Sequence, residues 1–116
     1  MALKIDGRTI DTDEEGYLLN PDDWDERVME ALAEREGITL TDVHGGLVKY
    51  FRDYYEDHMT HPSMCRLLLT KGAEHGHGFR DEKHYEHFLY ELFPRGPIQE
   101  ITRLAGLPKP RAEMED

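Results

Sequence analysis

The stretch Leu92-Phe93-Pro94-Arg95-Gly96-Pro97, continued by Leu104-Ala105-Gly106-Leu107-Pro108-Lys109-Pro110, decides the architecture. Pro94 and Gly96 stop the helix that delivers Leu92 and Phe93. Pro97 suits the first position of a new helix, where a missing N–H leaves no bond unmade. Ile98, Ile101, Leu104 and Ala105 recur on one face of that helix, and Gly106 suits the left-handed residue that closes it. Beyond Gly106 the prolines remove donors and hold their neighbours extended, so a short helix is expected to lead into a stiff arm over 106–116.

Upstream of this punctuation, Tyr85, Phe88, Leu89 and Leu92 mark the helix that runs into it. Pro62 opens another through Met64, Leu67 and Leu68, ending near Gly72, and residues 74–80 read as a polar loop. Thr39 or Thr41 caps a long helix with Val43, Leu47, Phe51 and Tyr54/Tyr55 on its stripe. Asp22 or Asp23 caps a first helix through Trp24, Val28, Leu32 and Ala33, which Gly37 stops. At the N-terminus Leu3, Ile5 and Ile10 alternate around Asp6-Gly7, the strongest short hairpin signal, and Gly16–Leu19 adds a third short strand. The expected fold is α+β and mainly helical. A small β-meander over 1–20 packs on about five helices over 22–105, with the arm beyond, in one domain spanning 1–116.

Composition narrows the function. The 116 residues carry 14 basic and 25 acidic side chains, a net charge of −11, and the apolar fraction is 38%. Such a chain repels phosphates at long range, which works against non-specific binding to nucleic acid or an anionic membrane. One cysteine excludes an internal disulfide framework and fits a reducing compartment. No apolar run approaches the roughly 20 residues that span a bilayer. Met1–Asp6 has no signal-peptide pattern, so a cytoplasmic protein is expected.

The LFPxGP and AGLPKP stretches resemble the C-terminal signature of the DsrC/TusE family of sulfur-relay proteins. The likeness continues through Asp13-x-x-Gly16-Tyr17-Leu18, Glu36-Gly37-Ile38-x-Leu40 and Arg52-Asp53-Tyr54-Tyr55, covering nearly all the chain up to Pro110. It implies the same helical fold. It also implies partners that hand sulfur onward: TusE toward the machinery that thiolates a tRNA wobble uridine, DsrC with dissimilatory sulfite reductase. In the family a cysteine follows the Pro-Lys-Pro and accepts persulfide or enters a disulfide, and the DsrC branch has a second one where Thr102 stands here. This sequence reads Arg111-Ala112-Glu113-Met114-Glu115-Asp116 after Pro110. Both reactive thiols are absent from their expected places.

The remaining candidates follow from residue chemistry. Cys65 could be a relocated sulfur acceptor beside Arg66, although free cysteine is more often a buried small hydrophobe. His75, His77, His84 and His87 could hold zinc or nickel, yet they match no motif of fixed spacing and read more simply as a polar segment. Asp11-x-Asp13-x-Glu15-Gly16 imitates the start of a calcium loop, but no helix enters it and a tight turn explains it better. A helix-turn-helix over roughly 41–58 and 62–72 would need cations, and its second helix offers only Arg66 and Lys71. Arg95, Arg103, Lys109 and Arg111 gather instead at the C-terminal end. With Leu107, Pro108 and Pro110, three of them (Arg95, Arg103 and Lys109) form the expected partner-binding set.

The expectation is therefore a sulfur-relay-related protein that binds relay or sulfite-reductase-type proteins as a docking or regulatory module, without persulfide chemistry and without a cofactor. It is not expected to act as an enzyme. The alternatives are a sulfur carrier using Cys65 and a DNA-binding regulator.

Overall fold

The computed structural model describes residues 2–75 and 82–109, with the backbone alone for 72–75 and 82. Strands β1 (Ala2–Ile5) and β2 (Arg8–Asp11) form an antiparallel hairpin with Leu3 opposite Ile10. Its turn needs positive φ at both central residues, and Asp6 (50°) and Gly7 (83°) supply it. The third expected strand is reduced to one bridge, Thr12 to Leu18. Five α-helices follow: α1 (Glu26–Glu36), α2 (Asp42–His58), α3 (Met64–His75), α4 (Glu82–Leu92) and α5 (Pro97–Leu104). This is the mainly helical α+β fold, with a two-stranded sheet in place of a full meander.

Among the described residues the chain packs as two compact units, one of residues 2–61 and 101–109, the other of 62–75 and 82–100. Helix α5 passes from the second into the first. In the first unit Leu3, Ile5, Ile10, Val28, Leu32, Leu47, Phe51, Ile101 and Leu104 are buried. In the second, Met64, Leu67, Tyr85, Leu89, Phe93 and Ile98 are buried.

Helix ends follow local chemistry, with three departures from expectation. Asp25, not Asp22 or Asp23, caps α1: its Oδ1 accepts from Val28 N–H at 2.9 Å, while Pro21–Asp23 forms a separate 3-10 turn capped by Asn20. The prolyl 3-10 turn uses up the two earlier aspartates, so Trp24 sits in extended backbone rather than in the helix. Val43, expected on the buried stripe of α2, is 41% exposed; His44, Leu47, Val48 and Phe51 form the buried face. Helix α3 also runs on to His75, past the end expected near Gly72 and into the expected loop. Gly37 closes α1 at φ 73°, and Ser63 Oγ accepts from Arg66 N–H at the start of α3 after Pro62. Gly45 and Gly46 stand inside α2, where each costs about 1 kcal/mol relative to alanine, yet a Cβ at either would meet no atom within 4 Å.

His44 contributes a pH dependence. Its Nδ1 accepts from the Thr41 N–H at 3.2 Å at the start of α2, which requires a neutral ring, and burial holds its pKa below the usual value. The unfolded chain then binds a proton that the folded chain refuses, so this contribution is whole above pH of about 6.5 and is lost as pH falls toward the lowered folded value. His44→Gln keeps an acceptor at the same helix position without titrating. Thermal melts of both forms between about pH 7.5 and pH 5 are expected to show wild type losing stability relative to the variant on acidification. A difference that does not change with pH would remove His44 as the titrating group.

Candidate functional site

The C-terminus of α5 is where chemistry distant in sequence converges. Its end is a Schellman closure: Gly106 N–H donates to Arg103 O at 3.0 Å and Leu107 N–H to Thr102 O at 3.1 Å, with Gly106 at φ 70°. A helix end leaves carbonyls without intrahelical partners, and buried ones must find donors. Two side chains provide them. Trp24 Nε1–H donates to Leu104 O at 2.7 Å, and an Arg52 guanidinium N–H donates to Ala105 O at 2.6 Å. The same guanidinium lies 4.1 Å from the indole centroid of Trp24, a cation–π contact. Burial lowers the Arg52 pKa, and the nearby carboxylates of Asp22, Glu56 and Asp53 oppose that. Gly106 fits so closely under Trp24 that a Cβ would lie 2.6 Å from the indole Cδ1.

Arg103 forms a second layer. It is 9% exposed, its guanidinium sits 4.8 Å from the Tyr17 ring centroid, and one of its terminal nitrogens lies 3.4 Å from Glu36 Oε1. Gly16, at φ 93°, admits the Arg103 stem, which a Cβ there would approach to 3.3 Å. The turn that presents Gly16 and Tyr17 is set by Asp13, whose Oδ1 accepts from the N–H groups of Glu15 and Tyr17. The run that imitates a calcium loop is thus a carboxylate-organised turn. Farther out, Lys109 Nζ meets Glu15 Oε1 at 2.6 Å, tying the first residues of the arm to that turn.

The expected partner-binding residues divide by burial. Arg103 and Leu107 (2% exposed) are turned inward at the base of the arm. Pro108 and Lys109 are exposed, as is Arg95 in the other unit. Pro110 and Arg111 lie outside the described residues. Thr102 is fully buried, and its hydroxyl has no hydrogen-bond partner among the described residues.

Cys65 departs from the buried reading. It is exposed, as the second residue of α3. His84 and His87 are exposed on α4, and His87 Nε2 lies 3.2 Å from Glu91 Oε1. Among the described residues no group of three or more His, Cys, Asp or Glu side chains could hold a metal. The His75 side chain and His77 fall outside the described residues. Nor is any described helix long and apolar enough to cross a membrane.

Sequence reasoning missed Trp24, Arg52, Glu36 and Tyr17 as site residues. The available signal was that the separate stretches around Gly16-Tyr17, Glu36-Gly37 and Arg52-Asp53 share a likeness that the patterning of their own elements does not explain. The geometry joins them at one helix end. It fixes a shape there, and the described part of that base contains no thiol.

Comparisons with known proteins agree with one another. The family model described as "DsrC like protein" matches residues 4–113. Sulfurtransferase TusE of Yersinia pestis is 44% identical over 108 residues, 93% of this chain and 95% of the relative. Sulfurtransferase TusE of Escherichia coli (strain K12) is 41% identical over the same shares. The solution structure of Allochromatium vinosum DsrC superposes with a TM-score of 0.82 at 37% identity, covering 97% of this chain and 98% of that one. The oxidised γ-subunit of dissimilatory sulfite reductase (DsrC) from Archaeoglobus fulgidus gives 0.83 at 33% identity over the same shares.

The clamp makes a direct prediction. Gly106→Ala places a Cβ against Trp24 at a positive φ and is expected to cost about 3 kcal/mol. Trp24→Phe removes the indole donor together with part of the ring surface over Gly106 and Arg52, and is expected to cost about 2–3 kcal/mol. Urea titrations check both, and a Gly106→Ala protein as stable as wild type would show that the indole does not close over the helix end.

Proposed function

The chain belongs to the DsrC/TusE family of sulfur-relay proteins, and we propose that it serves as a docking module of such a relay, engaging sulfur-donor or sulfite-reductase-type proteins without carrying sulfur on its arm. One observation supports this reading above the others. The base of the arm is held by half-buried Trp24 and Arg52 and by the Arg103–Glu36 pair, while the one cysteine of the 116 residues is Cys65, on α3. Sulfur acceptance requires a thiolate to attack the outer sulfur of a donor persulfide, breaking the donor S–S bond and releasing the donor thiolate. Residues 111–116 offer no such atom, since Met114 is a thioether. Shape recognition survives without it, through exposed Pro108 and Lys109 above the clamp.

A second reading is favoured by the exposure of Cys65, which makes that thiol reachable by a donor. In this alternative the new S–S bond forms on α3. DNA binding has no comparable support, because the net charge of −11 opposes phosphate contact.

Two measurements separate these readings. In a competition assay, excess protein is expected to displace a thiol-bearing family member from its sulfur-donor partner, with Lys109→Glu competing at least tenfold less well. Unchanged docking of the thiol-bearing protein would refute the docking role. Intact-mass analysis with a protein-borne persulfide donor is expected to add no sulfur to wild type or to Cys65→Ala. Sulfur gained by wild type alone would transfer the function to Cys65.

A further inference from the structure

Between α1 and α2, within the first unit, lies a groove of about 440 Å³ lined by the apolar side chains of Trp24, Met29 and Val48, by Gly45, and by Glu26 and Asp53 at charged positions. We propose that this groove is a docking site for one bulky apolar side chain carried on a cationic segment of a partner protein. It is an interaction surface beyond the arm, since it uses neither Pro108 nor Lys109.

Three observations carry it. Gly45 and Gly46 weaken α2, but the protein itself has nothing packed where their side chains would be, since a Cβ at either meets open space. Space left open beside apolar Trp24, Met29 and Val48 is space that an incoming side chain can fill. Charge then selects the partner. The cations of the groove are already engaged: Lys49 Nζ pairs with Asp53 Oδ2 at 2.8 Å, and Arg52 is stacked on Trp24 and bonded to Ala105 O. Glu26 and Asp53 balance Lys49 and Arg52 in the lining, and Asp22 and Glu56, beyond it, direct further negative charge at Arg52, so the surroundings of the groove are net acidic. A segment bearing Lys or Arg around an apolar anchor satisfies this rim. A second copy of this chain, with net charge −11, brings like charge to like.

Trp24 is the one tryptophan in the chain and lines the groove, so its emission reports occupancy directly. The probe is a seven-residue peptide with a central phenylalanine flanked on each side by two lysines. Wild type is expected to show a saturable change in Trp24 emission with this peptide, and none when the phenylalanine is replaced by serine or the lysines by glutamates. Gly45→Leu fills the groove from the protein's own side. It is expected to raise Tm by about 4 °C, because a helix-interior glycine is replaced, and to weaken peptide binding at least tenfold. Glu26→Lys, an exposed change that leaves packing untouched, is expected to weaken binding severalfold even if the leucine variant fails to fold. No saturable response in wild type, or unaltered affinity in the variants, overturns the proposal. So does a concentration-dependent dimer that Gly45→Leu abolishes, because the occupant would then be a second copy. The assay uses neither a sulfur donor nor the arm, so its failure and that of the arm-mediated docking role are separately visible.

Discussion

Two donors on the carbonyls that end α5 hold the base of the arm in place. Trp24 reaches Leu104 O across 80 residues of sequence, and Arg52 reaches Ala105 O across 53. Such long-range closures carry a loop-entropy cost that local turns avoid. They persist because the alternative is a buried helix end with unsatisfied carbonyls, at about 1–3 kcal/mol for each group left unpaired. Much of the first unit follows from this constraint. The 3-10 turn at Pro21–Asp23 keeps Trp24 outside α1 and free to lie under the α5 terminus, and α2 turns Arg52 toward the same point. Gly106 is confined between the left-handed backbone that ends the helix and the indole that covers it.

The Arg103–Glu36 pair works by a different balance. Both side chains are about nine-tenths buried, so desolvation offsets much of their mutual attraction, and their presence adds little to net stability. Removing either one is another matter, because it strands a charge in the interior. The pair therefore fixes geometry more than it stabilises the fold. The Tyr17 ring over the guanidinium and the bare backbone of Gly16 beside its stem narrow that geometry further. Lys109–Glu15, by contrast, is exposed on both sides, and such pairs contribute at most about 1 kcal/mol. Holding strength thus falls from the buried base of the arm outward.

Elements governed by local rules were legible in the sequence. Pro97 begins α5, Gly106 closes it, Gly37 closes α1 and Asp6-Gly7 turns the hairpin, each because one backbone conformation suits that residue. Positions governed by competition between local signals were less so. Asp22, Asp23 and Asp25 are all plausible caps, and only the 3-10 turn begun by Pro21 assigns α1 to Asp25. Val43 and Tyr54 fit a helical stripe, but the buried arc of α2 is centred on His44, Leu47, Val48 and Phe51. The site was least legible. Lys109 is exposed, but no sequence period distinguishes it from Arg103, which is buried because a ring, a carboxylate and a glycine from three other segments enclose it.

Sulfur transfer and docking make separable demands on such a scaffold. Transfer requires a thiolate at a defined place, and a single atom decides whether it occurs. Docking requires a surface whose shape survives thermal motion, which many weak constraints supply together. The base of this arm meets the second demand with the indole and guanidinium clamp, the Schellman closure and the buried ion pair, none of which involves sulfur. Cys65 is on α3, in the other compact unit. The clamp holds the base from which exposed Pro108 and Lys109 project, and the proposed docking role rests on that base and not on a thiol.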